Sequence, residues 1–357
     1  MRRWVLLLVV TLVIASAAQA ADDPDQKSYP SLKIGGFSDF NFFASEEDEG
    51  DRGRSGFKEG QFVLHFVSEV ADRIDFFGEV SMTAREEDDF KVELERGIIK
   101  YTHNDRFKVS FGRFHTPINW WNTAFHHGQY LQTSVARPAM TRFGGEFIPV
   151  HFVGAQAEGL IPSGSHNLKY IVGLGNGRDE VISQGGDAGD VNSNRAWLVN
   201  LSSKPDYAYG LQYGGAYYSD KITLEPAPGV FEEYDEAIVS CYVLWNRETP
   251  EVIVEYARVE HEGEDTGESF TSDAYYVQLA YRLPQLNSKL KPYARYEKID
   301  VDEGQTVFGA LMDRQGYLGG LRIDVVNLFA VKVEYRHQRT EDDPYVDAVW
   351  AQAAFVF

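Results

Sequence analysis

The stretch 115–147, HTPINWWNTAFHHGQYLQTSVARPAMTRFGGEF, carries His115, His126, His127, Arg137 and Arg142 against a single acid, Glu146. Arg113 stands just before it. Basic side chains with so few counter-charges attract anions, and in a narrow passage they lower the barrier to anion transit. The same stretch holds Trp120, Trp121, Phe125 and Tyr130, more large aromatics than a solvated loop has use for. Burying them requires the segment to fold inward, where it narrows whatever space it enters. The alternative is a segment laid over a mouth or against a neighbouring subunit. Other chemistries fit less well. The His126-His127 pair has no Asp, Glu or Cys nearby at ligand spacing, so no metal is expected. Ser134 has histidines nearby but no orienting acid, and no G-x-S-x-G elbow occurs, so no enzyme is expected. GLGNG at 173–177 has no helix after it and reads as a hairpin loop; no cofactor is implied. A net charge of −20 argues against nucleic acid as a partner.

The elements that must position these residues are strands. Segments of about ten residues alternate with period two, and helical spacing is nearly absent. Sixteen are read, near 31–44, 57–70, 72–84, 91–103, 106–114, 148–160, 165–174, 194–203, 207–219, 235–247, 250–260, 272–284, 288–299, 314–325, 327–338 and 345–357. Short connections such as VADR and SKPD alternate with longer, mostly acidic ones. That order is expected of an all-β, 16-stranded antiparallel transmembrane barrel with an inward-folded long third loop and both termini on the short-turn side. A soluble exported β-sandwich binding protein is the competing architecture, since alternation alone does not distinguish a lipid face from a core face. Aromatics at both ends of apolar faces, as in Tyr275/Tyr281, favour the barrel.

Parity then assigns the lumen. Arg282, Lys289, Lys291, Arg295, Arg322, Lys332 and Arg336 form an expected basic wall. Glu59, Glu69, Asp75, Glu79, Glu93 and Glu95 form an acidic wall facing it. Two such walls produce a transverse field across water, which disfavours apolar solutes. A one-residue slip would move a whole strand's set to the other face.

The ends are consistent with this. Residues 1–20 carry Arg2 and Arg3, an apolar run and Ala18-Gln19-Ala20, the pattern of a cleaved signal peptide, leaving 21–357 as one barrel domain. At the other end Val349, Ala351, Ala353, Phe355 and Phe357 share one parity up to the last residue. A strand apolar to its terminus suits a seam with the first strand, because an open edge in lipid leaves amides unpaired. The single Cys241 excludes an intrachain disulfide. Acidic clusters at 46–51, 86–89 and 341–343 read as hydrated strand tips, with bridging by divalent cations to lipopolysaccharide as the sharper reading.

FVLHFVSEVADRIDFFGEV, followed by ELERGIIKYTHNDRFKVSFGRFHTPINWW, resembles the phosphate-selective porin O and P family. The element Gly112-Arg113-Phe114-His115-Thr116-Pro117 matches the family's opening of its long third loop. The resemblance is clearest over 57–145. It implies a trimeric outer-membrane porin of a Gram-negative bacterium that takes up small anions, phosphate among them, by facilitated diffusion. A terminal Phe357 resembles the signature by which the outer-membrane assembly machinery recognises its clients. The expected partners are therefore outer-membrane lipid and lipopolysaccharide, that machinery, small hydrophilic solutes and two further copies of the chain. A non-selective or weakly cation-selective porin and an outer-membrane barrel enzyme are the alternatives.

Overall fold

The computed structural model describes residues 28–46, 53–85, 90–125, 127–142, 146–179, 181–183, 185–308, 311, 313–341 and 343–357. The signal-peptide reading, His126, and most of the acidic clusters at 46–51, 86–89 and 341–343 lie outside them, in whole or in part.

The strands are β1 (Lys33–Ser45), β2 (Ser55–Ala71), β3 (Ile74–Ala84), β4 (Phe90–Asn104), β5 (Phe107–His115), β6 (His151–Leu160), β7 (Leu168–Asn176), β8 (Ala196–Ser203), β9 (Leu211–Ala227), β10 (Val230–Asn246), β11 (Glu251–Gly263), β12 (Ser269–Ala280), β13 (Leu290–Asp300), β14 (Arg314–Val326), β15 (Phe329–Thr340) and β16 (Val346–Val356). Each pairs with its sequence neighbours, and β16 pairs antiparallel with β1, closing a sixteen-stranded ring. One expected long connection is not a loop. The 220–235 stretch continues as a hairpin in which β9 and β10 reach 17 residues each around a turn at 228–229.

The seam runs along the β1–β16 ladder from Phe37–Val356 to Ser45–Ala348, and the terminal residue extends it. Phe357 donates its N–H to the Gly36 carbonyl at 3.0 Å and accepts from the Gly36 N–H at 2.9 Å. Its ring stacks on Phe62 with centroids 5.3 Å apart. Gly36 permits this approach, because a Cβ there would meet the Val63 carbonyl at 2.2 Å and the Phe357 ring at 2.9 Å. Deleting Phe357 should lower the fraction that refolds in detergent to the compact, heat-modifiable form. Unchanged band-shift behaviour on unheated gels would remove the terminal residue from the seam.

The outer face is apolar and exposed or half-buried, as with the half-buried Val252 and Val254 and the exposed Val277 and Leu279 on neighbouring strands. The inner face is divided. On β8 to β12 it carries Leu198, Ile222, Ile238, Leu244, Ile253 and Tyr276, all buried, packed against Ile118, Trp121, Phe147 and Ile148 of the 116–150 segment. A ring of this size encloses more room than its own side chains fill, and here an apolar core occupies one side of it. Trp121→Ala should cost about 3–5 kcal/mol of stability, read as a lower midpoint in detergent unfolding. On β2 to β4 and β13 to β16 the inner face is polar, with Glu79, Ser81, Glu95, Arg295, Glu297, Lys332 and Glu334 buried.

Two bulges interrupt the parity, and the first overturns an assignment. Between β1 and β2 the register jumps, so Phe40 pairs with Glu59 and Asn41 with Lys58. Glu59 therefore shares the outer face with the exposed Phe40 and Phe57, while Lys58 faces inward. Gly60 sits at the bulge because a Cβ would lie 1.9 Å from the Asp39 carboxylate. Glu59 is not a lumen residue. Between β3 and β4 the pairing moves from Val80–Leu94 to Glu79–Arg96, leaving Glu95 as the extra residue. Glu93 and Glu95 face inward as expected, but beyond the bulge so do Arg96 and Lys100. Glu69 and Asp75 pair with each other near the short β2–β3 turn.

Candidate functional site

The segment between β5 and β6 contains one short helix, α1 (Trp120–Ala124), and a turn at Ala139–Thr141. Its backbone makes a few turn hydrogen bonds of its own and is held besides by wall side chains. Glu255 on β11 accepts from the Trp120 and Trp121 N–H groups at 2.7 and 3.0 Å. Glu334 on β15 accepts from Val135 at 2.8 Å and Ala136 at 3.1 Å, and Glu297 on β13 from Ala139 at 3.1 Å. Cations take the carbonyls. Arg295 donates to Ala136 and Arg137, Arg322 to Tyr130 and Gln132, and Lys332 to Gln129 and Ser134. From the β2–β4 side, the His127 ring lies 3.2 Å from the Gln61 amide oxygen and 3.1 Å from the Glu95 carboxylate. The segment thus bonds to inner-face side chains on both sides of the ring.

These contacts change the meaning of the basic wall. Arg295, Arg322 and Lys332 face inward, but their N–H groups go to segment carbonyls. Lys291 faces inward and bonds Glu251 at 2.8 Å and Glu248 at 3.0 Å. Arg282 and Lys289 lie outside the strands, in the β12–β13 turn: Arg282 bridges Glu248 and Asp324, and Lys289 reaches the Val325 carbonyl. Glu248 is itself lowered despite its partial burial, because Lys291 and Arg282 outweigh desolvation. The acidic wall is compensated too. Glu79 pairs with Arg96 at 2.5 Å and with His65 at 2.9 Å, and Glu93 pairs with Lys91. Among the described residues neither wall carries charge of a single sign. Interleaved cations and carboxylates line both sides, so the expected transverse field loses its basis.

The remaining constriction residues fall into two groups. Arg113 forks onto Asp187 at 2.7 and 3.2 Å and donates to the Leu94 and Glu95 carbonyls. His115 is buried, its ring 5.9 Å from that of His127 and 5.4 Å from that of His151. Arg113, His127 and His151 line a cavity of about 570 Å³ with Glu95. Among the described residues no group of three or more His, Cys, Asp or Glu is arranged to hold a metal ion. Arg137 and Arg142 line a second cavity of about 530 Å³ with Arg314, Arg336 and Lys58, against the carboxylates Asp39, Glu146 and Glu297. Burial pulls the Arg137 guanidinium down to about 9 against the attraction of Glu95, which leaves it charged at neutral pH.

Sequence reasoning missed Lys58, Arg96, Arg314, His151 and Glu255; parity placed Glu334 inward but gave it no hold on the segment. The first two were hidden by the bulges. Glu255 had a visible signal, a carboxylate on the inner parity of β11 beside the apolar Ile253, Ala257 and Val259.

An anion-selective porin from Comamonas acidovorans superposes with a TM-score of 0.67 over 92% of this chain and 100% of that one, at 9% identity. The chain has the sixteen-stranded porin fold. The outer membrane channel DcaP of Acinetobacter baumannii gives 0.62 over 93% and 99%, at 12% identity. OmpT of Vibrio cholerae, an outer membrane protein in trimer form, gives 0.62 over 92% and 100%, at 13% identity. No family model matches the chain, and no curated protein matches it by sequence. At these identities the likeness concerns the fold, and membership of the phosphate-selective family is not established.

Proposed function

We propose that the protein is an outer-membrane porin of a Gram-negative bacterium that passes small hydrophilic solutes passively, with a preference for anions such as phosphate. One observation carries the reading: a closed ring with an exposed apolar outer face encloses a cavity in which five cationic side chains meet three carboxylates. In this reading the 115–147 segment is folded inward as the constriction, and Arg137 and Arg142 lower the barrier to anions there. The porin neighbours, one of them named as anion-selective, support the reading. Export through the 1–20 signal peptide, recognition of Phe357 by the assembly machinery, contact with lipopolysaccharide and assembly as a homotrimer belong to the same proposal. Catalysis does not.

The test is the zero-current potential of the purified protein in planar bilayers across a potassium chloride gradient. The expected sign is that of chloride permeating faster than potassium. The opposite sign would replace this reading with a cation-selective one, and the absence of conductance would remove the channel.

A further inference from the structure

We propose that the inner wall on the short-turn side of the segment carries a binding site for a neutral, ring-shaped, polyhydroxylated solute of monosaccharide size. The proposal goes beyond ion preference and concerns a different cavity from the two described above. Strand register builds its wall. Lys169 and Ile171 of β7 stand opposite Ser202 and Asn200 of β8. Ser202 stands opposite Gly214 of β9, and Gly214 opposite Tyr242 of β10. The Tyr242 ring lies across Gly214, where a Cβ would meet its hydroxyl oxygen at 2.7 Å. Trp120 of α1 lines the cavity from the segment, and its volume is about 330 Å³. Asn167 and Lys204, in the short turns, line it too and place it at that end of the ring.

Three lining side chains are held in place with a polar atom unused. Asn200 donates Nδ2–H to the Pro117 carbonyl at 2.9 Å. A carbonyl only accepts, so this bond sets the amide orientation, and Oδ1 accepts from no described residue. Gln212 donates Nε2–H to the Tyr242 hydroxyl at 3.2 Å, and its Oε1 likewise accepts from no described residue. Trp120 is anchored by its backbone N–H on Glu255 at 2.7 Å. Its ring meets Phe125 edge-on, with centroids 4.8 Å apart. The indole N–H donates to no described residue.

Charge narrows the ligand. No carboxylate is among the described lining residues. Lys169 is occupied by Glu158 at 2.6 Å, and Lys204 stands exposed in its turn. A cation would find no counter-charge here. An anion brings acceptors alone, which the two amide oxygens disfavour. A hydroxyl both donates and accepts, so it can serve the amide oxygens and the indole N–H alike. The apolar faces of Trp120, Tyr242 and Ile171 match the C–H face of a ring. An apolar lining with a few fixed polar groups, at this volume, is the usual form of a small-ligand site.

The experiment is saturation-transfer NMR on the detergent-folded protein with D-glucose and D-xylose, and with mannitol as the open-chain polyol. The site predicts transfer to at least one of the two sugars that saturates with concentration and is strongest at the ring C–H protons, with little transfer to mannitol. Ile171→Trp fills the cavity and should abolish the signal. Gln212→Met removes one acceptor at nearly constant volume and should raise the half-saturating concentration about fivefold, as for loss of one hydrogen bond. Heat-modifiable migration on unheated gels checks that each variant is folded. No saturable signal from either sugar overturns the site. So does an equal signal from mannitol, or saturation unchanged in both folded variants. Binding is read without current, so a cation-selective or non-conducting protein fails the proposed function and leaves this site standing.

Discussion

On the proposed anion preference, Arg142→Glu should shift the channel toward cations, with a change in permeability ratio of roughly fivefold or more. The substitution changes the cavity by two charges at a side chain that makes no side-chain hydrogen bond among the described residues, so little else is disturbed. A unit charge 4 Å from a passing ion is worth about 1 kcal/mol in water and about 4 kcal/mol at an effective dielectric of 20. A cavity walled by protein lies between these limits. The cavity starts with Arg137, Arg314, Arg336 and Lys58 against Asp39, Glu146 and Glu297, so a new carboxylate removes the cationic excess. Arg137→Glu is the less clean test, because Arg137 lies within electrostatic reach of Glu95 and a second carboxylate there would repel it. The measurement is the zero-current potential in a salt gradient. An unchanged potential would place the rate-limiting passage elsewhere, for instance in the Glu95 and His127 cavity.

The second large effect concerns the wall carboxylates that hold the segment. Glu334→Gln should raise single-channel conductance and open-channel noise. The Glu334 carboxylate accepts the Val135 and Ala136 N–H groups, the Tyr293 hydroxyl at 3.0 Å and Arg336 Nε at 2.7 Å. The side chain is fully buried. An amide of the same size supplies one acceptor and forces two donors among donors. Each orphaned buried group costs about 1–3 kcal/mol, and removing one partner of a buried charge pair costs about 3–5 kcal/mol. The ring itself should survive, because β14–β15 and β15–β16 are joined by their backbone ladders. The penalty therefore falls on the segment, which loses its hold near Val135 and samples positions farther from the wall. Adding Glu255→Gln, which weakens the second hold at Trp120 and Trp121, should enlarge the effect. Conductance and noise identical to the unsubstituted protein would mean that the segment does not limit the passage.

The strands were legible because burial on one face and exposure on the other imposes a period of two on the residues themselves. Tyr275, Val277 and Leu279 against Tyr276 and Gln278 needed no tertiary information, and their faces are as read. The site was legible only in part. Glu59 and Lys58 exchanged faces because a bulge adds one residue to one strand, and a bulge leaves almost no mark in alternation beyond a glycine. The hairpin through 220–235 was read as a loop because Pro226, Pro228 and Gly229 gather beside acids, yet paired strands tolerate that composition at a tip facing water.

The sequence by itself determined the strands, their number and their two unlike faces, since each property is local or counts along the chain; that the ring closes belonged to the pairing of β1 with β16. The partners of inward charges belonged to the tertiary structure alone. Whether Lys332 faces an ion or a carbonyl of Gln129 depends on a segment about two hundred residues away in sequence. The reason is physical: an inward cation meets whatever the ring encloses, and closure brings together groups that no spacing along the chain relates.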